Sequence, residues 1–386
     1  MVAIFLKRHK SMIRVSVFFF CIGCGIALCF IRIDCANAVN TQPWAPVPAR
    51  HGENRARNSV EYAVLVLTSP MNEERRNVIR STWGNLVSNI FVENGEKLYK
   101  WNYSWTERHS NHDFIKVYFV VGTKSLSPEK INMLKTENVR SNDMVLLDDL
   151  IDKYENLATK MKLSFVWLNE NLKGLKYVIK CDDDSFVRVD LIVRDLEAYA
   201  PQMNSYKLNT YVSSKAPEYR GLYWGYFNGH ARVQMKGKWQ EQDWFLCDTY
   251  LPYALGGGYV VSSSIVDFIG KNSDLIRSYR SEDISMAVWT SALDGINRVH
   301  DIRFDTEWIS RGCLNHMLVR HKQTTQDMFQ MYKTLVDSKG ETLCKSETVE
   351  RGAYEYNWNS RPSQCCNSLH HIFKTNSESV PGNVKT

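Results

Sequence analysis

The stretch Leu175-Lys176-Tyr177-Val178-Ile179-Lys180-Cys181-Asp182-Asp183-Asp184-Ser185-Phe186-Val187-Arg188 decides how this chain is read. An apolar, β-prone run that stops in three consecutive carboxylates puts concentrated negative charge at the carboxyl end of a strand. In an open α/β sheet that end is where ligands bind. Three adjacent ionised carboxylates repel one another strongly unless a cation sits among them. Oxygen ligands of this kind suit a hard divalent ion such as Mg²⁺ or Mn²⁺, which commonly also holds phosphates. A solvated acidic turn could carry the same three letters, so the surrounding chain has to decide.

Immediately upstream, residues 154–172 place Leu157, Met161, Phe165, Leu168 and Leu172 at three- and four-residue intervals, which predicts a helix with one apolar face. Further back, residues 60–67 read as a short apolar strand, with Ser69-Pro70 as the cap and first residue of a helix. Residues 114–121 and 144–147 give a second and a third strand. Strand and helix therefore alternate to about residue 200, which predicts an α/β fold with a mostly parallel central sheet. Downstream the character changes. Residues 206–244 are rich in aromatics, including Trp224 and Trp239, whose flat faces suit the apolar faces of sugar rings but serve core packing equally well. Gly256-Gly257-Gly258-Tyr259 precedes a further apolar run, so the glycines read as a tight turn or a close backbone approach to a ligand.

At 386 residues with 44% apolar composition the chain can bury a large core. Its net charge of +6 is concentrated in Lys7, Arg8, Lys10, Arg14 and Arg32, leaving the body nearly neutral and excluding a nucleic-acid-coating role. Residues 15–33 are almost wholly apolar and follow a basic cluster, which predicts an uncleaved anchor with the N-terminus cytoplasmic and the body lumenal. Ala36-Asn37-Ala38 also fits a signal-peptide cleavage site. The expected organisation is a cytoplasmic tail over 1–14, an anchor over 15–33, a Pro-containing stem over 34–59, a lumenal body over 60–367 and a flexible tail over 368–386. Cys181, Cys247, Cys313, Cys344, Cys365 and Cys366 lie in that body and are expected to form disulfides rather than a zinc site. Adjacent Cys365 and Cys366 are expected to choose different partners. Asn102-Tyr103-Ser104 is an N-glycosylation acceptor pattern.

Several segments together resemble one family, the β-1,3-glycosyltransferases grouped as family 31. They are Arg76-Asn77-Val78-Ile79-Arg80-Ser81-Thr82-Trp83, Tyr154-Glu155-Asn156-Leu157-Ala158-Thr159-Lys160, Lys180-Cys181-Asp182-Asp183-Asp184, Gly256-Gly257-Gly258-Tyr259-Val260 and Ser281-Glu282-Asp283-Ile284. Within that family, residues 246–259, 303–307, 311–313, 321–323 and 362–366 look like the branch that builds the glycosaminoglycan–protein linkage region.

The resemblance implies a GT-A-type nucleotide-sugar fold, bound Mn²⁺ and UDP-galactose as donor. It further implies inverting β-1,3 transfer to the Gal-β1,4-Xyl stub of proteoglycan core proteins at the Golgi membrane. By the same likeness, Asp184, Asp182 and His321 would hold the metal, His321 having a structural histidine as its alternative. Asp283 would be the general base with Glu282 as fallback, although an acidic pair opening a helix is also a common cap. Arg76, Arg80, Lys160, Asp182, Asp183, Gly257, Gly258 and Tyr259 would line the donor, and Trp224 and Trp239 the acceptor. The shared motifs address UDP and metal rather than sugar identity, so transfer of N-acetylglucosamine or another acceptor stays open. An inactive lumenal lectin or chaperone is the reading from a different class.

Overall fold

A computed structural model describes residues 60–88, 90–93, 96–100, 114–204, 221–366 and 369–370. The expected cytoplasmic tail, anchor, stem and Asn102 glycosylation site lie outside the described residues. No helix among the described residues is long and apolar enough to cross a membrane.

Seven strands form the central sheet: β1 (Tyr62–Leu67), β2 (Ile115–Gly122), β3 (Met144–Leu147), β4 (Tyr177–Asp182), β5 (Gly221–Asn228), β6 (Tyr253–Ser262) and β7 (Ile296–His300). Their order across the sheet is β7-β5-β6-β4-β1-β2-β3. Neighbours are parallel except at β6, which runs antiparallel to both β4 and β5. The sheet is therefore mostly parallel, as expected, with one reversed strand.

Helices α1 (Glu73–Ser81), α2 (Pro128–Ser141), α4 (Val189–Asn204) and α7 (Thr325–Asp337) cover one face. Helices α3 (Leu157–Asn171), α5 (Ser263–Lys271) and α6 (Glu282–Ser291) cover the other. Side chains alternate along β1 accordingly: Tyr62, Val64 and Val66 enter the first core, Ala63, Leu65 and Leu67 the second. A strand buried on both faces must be apolar throughout, which is why residues 62–67 contain no charge. The periodicity of α3 reports its packing: Met161, Phe165 and Leu168 are fully buried, each contributing about 1.5–3 kcal/mol on the transfer scale.

Several expectations are corrected. Ser69-Pro70 does not open α1; the helix begins at Glu73, after a turn whose Ser69 carbonyl accepts from the Arg76 guanidinium. The three glycines do not precede β6 but lie inside it. Leu369–His370 pair antiparallel with Ala353–Tyr354. Cys313 and Cys344 form a disulfide, in keeping with the expectation for the body, but Cys365 and Cys366 are bonded to each other. The other cysteines of the body are committed elsewhere: Cys181 is sealed in the core and the exposed Cys247 bonds the Thr249 carbonyl.

A small second sheet positions the site. Val319–Arg320 pairs antiparallel with Phe186–Val187, just after the Asp triplet, and parallel with Phe304–Asp305. The Gln323 N–H then donates to the Asp184 carbonyl, at 2.8 Å. Residues remote in sequence from the triplet are thereby laid against it.

Candidate active site

The Asp triplet divides its labour. Asp183 turns toward β1 and α1, where its carboxylate accepts from Thr68 Oγ1 (2.6 Å) and Asn72 Nδ2 (2.7 Å). Asp182 and Asp184 face His321 instead. Its Nε2 lies 3.1 Å from Asp184 Oδ1 and 3.6 Å from Asp182 Oδ2. Burial alone would lower the His321 pKa, yet the two carboxylates raise it to about 9. Burial likewise works to raise Asp182, but the Lys180 ammonium and His321 bring it below the usual carboxylate range.

Two carboxylates and one imidazole converge here with one ligand atom each, all within 4.8 Å of one another. Neither buried His321 nitrogen makes a well-directed hydrogen bond, although Nε2 is close to both carboxylates. The three side chains pair with one another across this short span, and their oxygen and imidazole atoms suit a divalent ion such as Mn²⁺. The residues present fit such an ion. Lys322, held in the left-handed region at φ 61°, places Nζ 3.2 Å from Asp184 Oδ2.

The glycine segment of β6 separates this cluster from a second acidic pair. A Cβ on Gly257 would lie 2.5 Å from His321 Cγ, whereas one on Gly256 would lie 3.1 Å from Glu282 Oε2 and 3.4 Å from Asp283 Oδ2. Absence of side chains here is what lets His321 approach one face of the strand and the acidic pair the other. Glu282 is buried, with one oxygen on the Tyr259 hydroxyl and the other 3.1 Å from Lys180 Nζ. Burial, partly offset by Lys180, raises its pKa to about 7. Asp283 is only half-buried; it accepts from the backbone N–H of Gly256 (3.1 Å) and of Ile284 (2.9 Å). Burial raises its pKa as well, against the pull of Lys180. Asp283 thus bonds backbone at the start of its own helix and keeps partial exposure, whereas Glu282 is fully committed to internal partners.

The structure redistributes the other expected residues. Arg76 is fully buried and spends its donors on Glu137 and the carbonyls of Ser69 and Pro70. Arg80 is paired with Glu137 and Asp143. Lys160 is buried against Asp152 and the Thr68 carbonyl. All three brace the fold in this structure. Arg75, one residue from the expected position, instead points at the site, its guanidinium near the carbonyls of Asp183 and Gln323. Tyr259 is fully buried with its hydroxyl on Glu282, and Gly258 packs against Val319. Trp224 is internal as well. It is enclosed between Phe304 and Arg303, with its indole N–H on Asp301, and offers no face to an acceptor.

Trp239 does sit at the rim, 39% exposed and edge-on to Trp308 at 5.3 Å. Trp308 is 66% exposed, and Lys322 Nζ lies over its ring at 5.3 Å. Tyr154, whose hydroxyl lies within electrostatic reach of Asp283, is raised in pKa to about 12, mainly by burial. Sequence reasoning missed Trp308, Arg75 and Lys180. A lysine in the middle of an otherwise apolar strand was the available signal for the last.

Comparison with known proteins shows the family. The family model described as Galactosyltransferase matches residues 74–301. Beta-1,3-galactosyltransferase 6 of Mus musculus is 37% identical over 359 residues, covering 93% of this chain and 95% of that protein. UDP-GalNAc:beta-1,3-N-acetylgalactosaminyltransferase 2 of Xenopus laevis is 28% identical over 201 residues, 52% of this chain and 37% of that protein. A hydroxyproline O-galactosyltransferase of Arabidopsis thaliana is 28% identical over 249 residues, covering 62% of this chain and 33% of that protein. The chain therefore spans nearly all of the mouse relative but only about a third of the other two.

Proposed function

The chain belongs to the galactosyltransferase family, and from that premise we propose an inverting β-1,3-galactosyltransferase that uses UDP-galactose and Mn²⁺. As acceptor we assign the Gal-β1,4-Xyl stub carried by proteoglycan core proteins. We place the catalytic body in the Golgi lumen, tethered by residues 15–33 as a type II anchor. The acceptor assignment rests on likeness over nearly the full length of the mouse relative, together with the linkage-region motifs. The compartment rests on the basic and apolar N-terminal pattern.

One observation carries the catalytic reading: Asp182, Asp184 and His321 converge on one side of the glycine segment, and Asp283 stands on the other. Asp182, Asp184 and His321 would hold a divalent ion, which would supply positive charge to a diphosphate. Arg75 and Lys322 add cationic groups beside that position, as a leaving UDP requires. Gly257 and Gly256 let the His321 ring and the acidic pair close on the backbone between them. The Asp283 carboxylate then takes the proton of the acceptor hydroxyl. As that O–H bond breaks, the acceptor oxygen forms its bond to the anomeric carbon from the face opposite UDP, whose own bond to that carbon breaks. A single displacement inverts α to β. Trp239 and Trp308 form an aromatic corner on which an acceptor sugar ring can stack.

The test is transfer by the purified lumenal body from a panel of UDP sugars to a galactosyl-xyloside, with and without Mn²⁺. Expected is a β-1,3-digalactosyl product from UDP-galactose that disappears with a chelator. Transfer from an N-acetylhexosamine donor and none from UDP-galactose would overturn the donor assignment.

A further inference from the structure

Lys180 has no part in the chemistry above, yet it occupies the centre of the site. It is 1% exposed, on β4 two residues before Asp182. An ammonium has three donors and no acceptor, and this one faces three acceptors. They are Asp182 Oδ1 at 3.0 Å, Glu282 Oε2 at 3.1 Å and the carbonyl of Gly256. Each belongs to a different part of the site.

Gly256 is therefore held at both polar atoms: its carbonyl accepts from Lys180, and its N–H donates to Asp283 Oδ2 at 3.1 Å. A continuous path runs from Asp182 through the ammonium and Gly256 to the carboxylate of Asp283. A parallel one runs through Glu282, the residue preceding Asp283 at the start of α6 and itself held by the Tyr259 hydroxyl. A glycine-rich strand cannot keep such a spacing by side-chain packing, because it has no side chains there to pack.

We infer that Lys180 is a positioning residue, fixing the glycine segment so that the donor-holding carboxylates and the Asp283 base stand at their working separation. The inference rests on the galactosyl-transfer reading above. The competing explanation is that Lys180 only neutralises the buried Glu282, and the two differ in a double variant.

Lys180→Met, Lys180→Met/Glu282→Gln and Lys180→Arg would be compared with the wild-type enzyme in steady-state transfer, with folding followed by thermal melting. Lys180→Met leaves a buried carboxylate unpaired and risks misfolding; the double variant removes both charges and keeps the volume. A displacement of about 1 Å costs on the order of 100-fold, so the double variant should lose about that factor in kcat with the KM for UDP-galactose unchanged. Lys180→Arg keeps the ions paired but cannot meet three acceptors from one nitrogen, and should fall between wild type and the methionine variants. Wild-type kcat in the folded double variant overturns the inference in favour of simple charge compensation. So does a loss confined to the KM for UDP-galactose. A wild-type enzyme that transfers no galactose at all would instead defeat the functional reading on which the inference stands.

Discussion

Replacing Gly257 by alanine tests the site with a single methyl group. The added Cβ would meet His321 Cγ at 2.5 Å, Nδ1 at 2.6 Å and Cβ at 2.9 Å. Carbon atoms in van der Waals contact settle at about 3.5–4.0 Å, so the imidazole or the strand must retreat by about 1 Å. Retreat of the strand is resisted by pairing with β4 and by the Ser185 hydroxyl on the Gly257 carbonyl (2.6 Å), so the ring should yield. Overpacking of this kind costs about 1–3 kcal/mol, which a domain with two extensive cores can absorb. A 1 Å displacement of a ligand at the reacting centre costs about 100-fold in rate, equivalent to about 2.7 kcal/mol of barrier. The assay is galactose transfer over a Mn²⁺ titration, with Gly352→Ala as control because nothing lies within 4 Å of a Cβ there. Expected is a folded Gly257→Ala enzyme, about 100-fold slower and needing more Mn²⁺ for half-activation. Wild-type rate and metal dependence in that folded variant would refute the placement of His321 among the ligands.

Asp184→Ala removes one of three convergent ligands. UDP binding by calorimetry should then lose its Mn²⁺ dependence, with metal affinity down at least about 100-fold, since even outer partners of a ligand cost 10–100-fold. Metal-dependent binding of wild-type strength would contradict the site. Asp283→Asn should cut kcat by about 10²–10⁴ while leaving UDP binding intact. Because burial raises the Asp283 pKa and the base works deprotonated, wild-type kcat should fall toward acid from a pH above that of an ordinary aspartate. An acid limb that persists in the residual activity of the Asp283→Asn variant would assign that limb to another group. Away from the site, half-buried His300 accepts from the Phe227 N–H and donates to the Tyr354 carbonyl, and desolvation lowers its pKa to about 4. The unfolded chain binds that proton more readily, so stability should be full near neutral pH and decline as pH falls from about 6.5 toward 4. Thermal melts of His300→Gln, compared with wild type over that range, should show a flatter decline.

Much of the frame could be read from local pattern. The carboxylates at the end of β4, the apolar face of α3 and the alternation of strand and helix are local consequences of residue order, and they survived. Residue roles were less legible where the fold, not the motif, decides which way a side chain points. Arg76 and Arg75 are neighbours on α1, so one enters the core toward Glu137 and the other faces the site. Only the rotation of that helix against the sheet distinguishes them. Trp224 and Trp239 looked alike in sequence, but β5 is covered on both faces and hides the first. Glu282 and Asp283 could not be ranked until Lys180 and Tyr259 were seen to occupy Glu282. The pairing of residues 319–320 with 186–187, which brings His321 to the triplet, depends on contacts more than a hundred residues apart in the chain.

The reversed strand β6 has a consequence for how the protein is made. Until residues 253–262 leave the ribosome, β4 has β1 on one side and nothing from its later neighbour on the other. With about 70 residues intervening and synthesis at about 5–20 residues per second, that interval lasts on the order of 4–14 s. During it, unsatisfied backbone N–H and C=O groups of an apolar strand, and the thiol of Cys181, are open to any passing chain. Nascent chains arrested before residue 253 should therefore be the form that aggregates and recruits chaperones, and completion of the glycine strand the event that ends the hazard.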